Sequence, residues 1–259
     1  MVTTFEIDRQ SPRLRALKQI AVGILILAGI EMLSQFLIVS GSALSHALQG
    51  RTPNSRFWVG IYQQIFQAAA GIFLYRVLFK KGMHDLGINL NNKTRSLYYF
   101  GCFALAWLAI IAIYLVFNYF FSPKTWSALS TAELPPISTI TTTLIFQAIF
   151  PGMGEEILFR GLILNLLAQW VFPRYKQHRA SLIGMLILSS FYFAAAHVYF
   201  QAVPFELTHF DPLQIVTALG CGAVYAVMFL RTKSLLAPFL AHNFANTTAT
   251  ICGYLIASM

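Results

Sequence analysis

Residues 137–170 read ISTITTTLIFQAIFPGMGEEILFRGLILNLLAQW, an apolar stretch whose charge is confined to Glu155, Glu156 and Arg160. As one straight helix at about 1.5 Å per residue it would be about 50 Å long, against a hydrocarbon core of about 30 Å. Pro151 removes a backbone donor and crowds the preceding turn, and Gly152 and Gly154 follow it. The spacing therefore predicts two helical pieces with a break near Pro151. A charge at membrane depth costs a few kcal/mol or more, so it persists where it is paired, hydrated or chemically employed. Glu155, Glu156 and Arg160 mark the functional centre for that reason.

The same character extends to both sides of this stretch. Of the 259 residues, 57% are hydrophobic and 10% charged. Apolar runs cover Leu17–Val39, Trp58–Tyr75, Leu97–Phe121, Leu182–Phe200, Leu213–Leu230 and Leu235–Ala257. Each is close to the length that crosses hydrocarbon as a helix, and none alternates as the strands of an outer-membrane barrel do. The expected fold is all-α, a polytopic membrane helix bundle of about seven to eight helices. It forms one integral membrane domain over residues 1–259, with a motif-bearing core at about 137–251. The net charge of +9 does not indicate nucleic acid. Most basic residues fall in segments that a seven-span topology with a cytosolic N-terminus puts on the cytosolic side, among them Arg9, Arg13, Lys80, Lys81, Arg174 and Lys233. That asymmetry is the positive-inside bias. The run Ile20–Val39 is longer than a cleaved signal and is read as a retained helix. Cys102, Cys221 and Cys252 are odd in number and dispersed in apolar helices, which suits packing better than a disulfide frame.

Three polar clusters stand out against this background. The first is Gly154-Glu155-Glu156-Ile-Leu-Phe-Arg160-Gly161. Glu156 and Arg160 are four apart, share a helix face and suit an ion pair, while Glu155 is turned about 100° away. Arg160 then holds Glu156 and leaves Glu155 available as a base. The second is Phe193-Ala-Ala-Ala-His197, late in an uncharged helix, and the third is His242-Asn-Phe-Ala-Asn246, with His242 and Asn246 stacked on one face. Alone, each reads as interhelical polar glue. Together, they gather two carboxylates, an arginine, two histidines and an asparagine on three helices with few other charges.

In motif order, internal spacing and placement on apolar helices, Glu155-Glu156-x-x-x-Arg160, Phe193-x-x-x-His197 and His242-x-x-x-Asn246 resemble the CPBP intramembrane endopeptidases. That family, also called Abi, includes the type II CAAX prenyl endopeptidases. The resemblance runs from about Ile137 to Ile251, and the residues before it carry no matching motif. It implies a glutamate-dependent protease acting on a membrane-associated, prenylated or unprenylated, protein or peptide. On that reading Glu155 and His197 activate a water, and His242 and Asn246 polarise the peptide carbonyl and stabilise the oxyanion. Glu156, Arg160 and Phe193 support them. The residue types suit the task, because a dehydrated carboxylate is a stronger base than a solvated one and an asparagine amide is a fixed donor.

Zinc is the nearest competing mechanism, since two histidines and two glutamates are ligand types. The chain has no His-Glu-x-x-His helix, and Arg160 beside Glu156 would compete with a cation, so a site without cofactor is expected. Two other classes fit the same cluster: a non-proteolytic membrane immunity or scaffold protein, and a proton-coupled transporter built on buried carboxylates and histidines. The expected partners are membrane lipid and a membrane-associated substrate, with no nucleic acid. The expected location is an integral multi-pass position, in the plasma membrane if the source is bacterial.

Overall fold

The computed structural model describes residues 12–49, 51–52, 54–201 and 206–259; Arg9 of the basic N-terminus and residues 202–205 of the loop before Pro212 lie outside them. The helices are α1 (Pro12–Leu48), α2 (Ser55–Phe79), α3 (Met83–Leu86), α4 (Lys93–Phe121), α5 (Pro123–Ser130) and α6 (Ile137–Glu156). A π-helical stretch (Ile157–Ile163), a short α7 (Leu164–Leu166) and a second π stretch (Leu167–Val171) continue from α6. Then come α8 (Arg179–Ala195), a hairpin of β1 (Tyr199–Gln201) and β2 (Glu206–His209), α9 (Pro212–Thr232) and α10 (Leu236–Ala257).

The all-α membrane class expected from the apolar runs is the one observed. Among the described residues, five helical segments are long and apolar enough to cross a membrane: 16–48, 55–79, 93–121, 137–171 and 212–232. The seventeen-residue α8 is a shorter apolar helix. The expected seventh segment exists as α10, but His242, Asn243, Asn246 and its threonines dilute its apolar character. On α4, Leu105, Ile113, Phe120 and Phe121 project outward with more than half of their surface uncovered. Surface of that kind requires lipid around it.

Three expectations are corrected. No break occurs at Pro151, because α6 runs through it to Glu156. The helix is braced from outside on both sides of the proline: the Gly152 amide donates to Asn243 Oδ1 at 2.8 Å, and Asn243 Nδ2 donates to the Ile149 carbonyl at 3.3 Å. The winding loosens one turn later, at Ile157. The helix expected to reach Phe200 stops at Ala195, because the Phe193 carbonyl faces the His197 imidazole while the His197 amide bonds to Ala194. Beyond it, Tyr199–Gln201 pair antiparallel with Glu206–His209, a small hairpin in place of helix and loop.

The chain forms two compact units, one holding the residues up to Phe36 with Ile163–Ala223, the other holding Leu37–Leu162 with Val224–Met259. In the first, Tyr192 donates its hydroxyl proton to the Gly23 carbonyl at 2.6 Å and Gln35 donates to the Phe200 carbonyl at 2.9 Å. In the second, α6 packs against α2 and α10, and α10 against α4. Glycines permit that proximity. A Cβ at Gly71 would lie 3.3 Å from the Leu158 Cα, and one at Gly152 would lie 2.9 Å from the Phe239 carbonyl oxygen. A polar knot fixes where α10 begins. Gly87 adopts φ +110°, accessible to glycine, and its carbonyl accepts the Leu235 amide at 2.9 Å. Ser234 Oγ donates to the Asn89 carbonyl at 2.7 Å, and Asn92 Nδ2 donates to that of Thr232 at 3.2 Å.

Candidate active site

Within the second unit, α6 and α10 bring Glu155, Glu156, Arg160 and His242 into one cluster. Glu156 and Arg160 are wholly buried. Arg160 engages Glu156 with two nitrogens, Nη1 to Oε1 and Nε to Oε2, both at 3.2 Å. Only the Nη1–Oε1 contact has hydrogen-bond geometry; the Nε–Oε2 contact is an ion-pair distance, and burial makes each partner depend on the other. His242 Nδ1 lies 2.7 Å from Glu156 Oε1. An ionised carboxylate only accepts, so the Nδ1 proton is assigned to this bond and the Nε2 edge of the ring faces elsewhere. That edge is directed at Glu155, with Nε2 3.9 Å from Oε2. One imidazole thus stands between the two carboxylates.

The two glutamates are not equivalent. The Glu155 side chain retains 16% of its surface and that of Glu156 1%. Glu155 Oε1 accepts a hydrogen bond from Gln64 Nε2 of α2 at 3.2 Å. Two carboxylates against one guanidinium leave a formal charge of −1, and one additional proton on His242 or Glu155 would cancel it. Tyr225 of α9 covers the cluster: its ring stacks on His242, centroids 5.5 Å apart and planes at 22°, with the Arg160 Cζ 5.3 Å from its centroid. Phe103 meets the Tyr225 ring edge-on at 5.5 Å.

Asn246 lies one helical turn beyond His242 on α10, half-buried, and its carbonyl accepts the Thr250 hydroxyl at 2.8 Å. Phe193 and His197 belong to the first unit. There His197 Nδ1 lies 2.7 Å from the Phe193 carbonyl, and the two rings meet edge-on with centroids 5.0 Å apart. A carbonyl accepts, so that bond assigns a proton to Nδ1. Among the described residues, no group of three or more His, Cys, Asp and Glu side chains is arranged to hold a metal ion.

Sequence reasoning missed Gln64, Tyr225 and Asn243. Gln63, the neighbour of Gln64 on α2, donates to the Leu37 carbonyl at 3.3 Å. The buried positions of α2 are instead Gln64, Ala68, Gly71 and Tyr75, a helical stripe in which Gln64 is the polar member. That stripe was the available signal.

Residues 136–248 match the model of a family described as type II CAAX prenyl endopeptidase, Rce1-like. No curated protein and no solved structure matches the chain. The match bears out the resemblance carried by the three motifs, and all seven residues assigned to them lie inside it. Over those residues the chain is similar to the CAAX-type proteases, and its long apolar helices are those of a membrane protein.

Proposed function

We propose that this protein is an intramembrane endopeptidase that hydrolyses a peptide bond of a membrane-associated, prenylated substrate, with Glu155 as the general base. The observation that carries the reading is the unequal pairing of the two glutamates. Glu156 is tied to Arg160 at 3.2 Å and to His242 at 2.7 Å, whereas Glu155 retains partial access and faces the other ring nitrogen. A carboxylate poised in this way can take a proton from water as that water attacks the carbonyl carbon. The same proton then passes to the departing amine, so the net reaction consumes one water.

His242 supplies the complementary charge. With its Nδ1 proton directed at Glu156, a second proton on Nε2 makes an imidazolium that Glu156 compensates. Such a group polarises the carbonyl and faces the oxyanion as it develops. The Asn246 amide, one turn on, adds a neutral donor of a kind worth about 3 kcal/mol at a transition state. Arg160 acts through Glu156 rather than on substrate. The part given to His197 in activating the water rests on its motif. Zinc is not required by any of these steps, and the multi-pass placement, in the plasma membrane if the source is bacterial, belongs to the same proposal.

The test uses purified protein in liposomes and a farnesylated CAAX peptide, with products identified by mass spectrometry. Wild type releases the C-terminal tripeptide and Glu155→Gln does not, while both unfold at similar temperatures. Cleavage retained by a folded Glu155→Gln protein would overturn the assignment.

A further inference from the structure

We infer that Gln64, on α2 and outside the segment that matches the endopeptidase family, is a positioning residue that aims the Glu155 carboxylate. The role rests on the reading of Glu155 as the base, but the geometry is independent of it. Gln64 is buried, with 8% of its surface exposed, and donates from Nε2 to Glu155 Oε1 at 3.2 Å. A carboxylate cannot donate, so the amide has one orientation in this bond, nitrogen towards Glu155. The amide oxygen then faces Gly154. A Cβ at residue 154 would overlap Gln64 Oε1 and would also approach the Gln64 carbonyl oxygen to 2.7 Å and Cα to 2.8 Å. Glycine at 154 is thus what lets the amide enter between α2 and α6, one residue before the carboxylate it holds.

The charged groups around Glu155 within this unit are His242 from α10, Glu156 from α6 and its partner Arg160 from the π stretch that follows; α2 contributes the neutral Gln64. Gln64 holds Oε1, and the other carboxylate oxygen, Oε2, lies 3.9 Å from His242 Nε2. A bond to one carboxylate oxygen from a fixed donor removes a rotation that a glutamate side chain otherwise retains, which is how a neutral neighbour contributes to orientation. The consequence is that α2, which carries none of the family motifs, completes the site.

Gln64→Met, nearly the same size without a donor, and Gln64→Leu test this in the full-length protein in liposomes. With ¹³C-labelled glutamate, subtracting the infrared spectrum of Glu155→Gln isolates the Glu155 carboxyl band. In folded Gln64→Met and Gln64→Leu that band moves in frequency, and for cleavage of the farnesylated CAAX peptide kcat falls roughly 10- to 100-fold with KM within about twofold of wild type. An unmoved band, or an unchanged kcat, in either folded variant overturns the assignment. A moved band in a protein whose wild type cleaves no peptide leaves the contact standing and removes the protease reading instead, so the two ideas fail separately.

Discussion

Asn243 repairs the helix that Pro151 interrupts. Its Oδ1 accepts the Gly152 amide and its Nδ2 reaches the Ile149 carbonyl, so one side chain of α10 serves both sides of the proline. Because His242 is the adjacent residue, the repair also sets the register between α10 and the glutamates three and four positions beyond Gly152.

Replacing Asn243 by leucine leaves a buried amide without its acceptor, a loss of about 1–3 kcal/mol. The expected outcome is a lower unfolding temperature in detergent. Asn243→Asp keeps the acceptor and loses the donor to Ile149, so it retains more stability than leucine; equal losses would count against the repair.

Glu155 and Glu156 separate when each is changed to glutamine. Glu155→Gln removes cleavage and leaves stability near wild type. Glu156→Gln strips the buried Arg160 of its counter-charge and lowers stability by about 3–5 kcal/mol. Chemical unfolding of the two variants in parallel measures the contrast, and similar curves would contradict the inequality of the pair.

Arg160→Met removes the other half of the same pair and destabilises by a comparable amount. The double variant Glu156→Gln with Arg160→Met leaves no uncompensated charge and recovers part of that loss. A double-mutant cycle reads the coupling directly; additive losses would show that the two side chains do not depend on each other.

Gly154→Ala forces a methyl group into the Gln64 backbone, where the gap is 2.7–2.8 Å. Overpacking of this kind costs about 1–3 kcal/mol. Gly101→Ala, whose Cβ would meet nothing within 4 Å, provides the control and stays near wild type. The difference in unfolding temperature between the two is the measurement.

Prolonged dialysis against a strong chelator leaves both the unfolding temperature and peptide cleavage unchanged, because the groups that would ligate a metal are engaged with one another and with Arg160 and Gln64. Loss of cleavage, restored by zinc, would favour the metal mechanism.

The spans were legible where hydrophobicity alone decides them. Each apolar run of the sequence became helical over most of its length, Leu182–Phe200 as far as Ala195, since hydrocarbon leaves the backbone few other ways to satisfy its hydrogen bonds. The Glu156–Arg160 pair was legible too, because spacing along one helix fixes it. The passage of α6 through Pro151 was not, because Asn243, the side chain that restores the bonding, lies 91 residues away from Gly152. The end of α8 at Ala195 was hidden for a similar reason, as the His197 side chain takes a carbonyl that an amide was expected to use. Gln64 was overlooked because three glutamines crowd one stretch of α2, and which of them faces inward is decided by the helix packed against it.

The loosened coil from Ile157 to Ile163 follows immediately after Glu156. Such single-turn π winding inside a helix is rare and is found often at functional sites. Removing one residue after Arg160, at Leu162 or Ile163, would tighten the coil to ordinary pitch while the acid–arginine spacing survived. Ile157, Leu158 and Phe159, inside the same stretch, set the acid–arginine spacing and leave no room for a residue gained or lost.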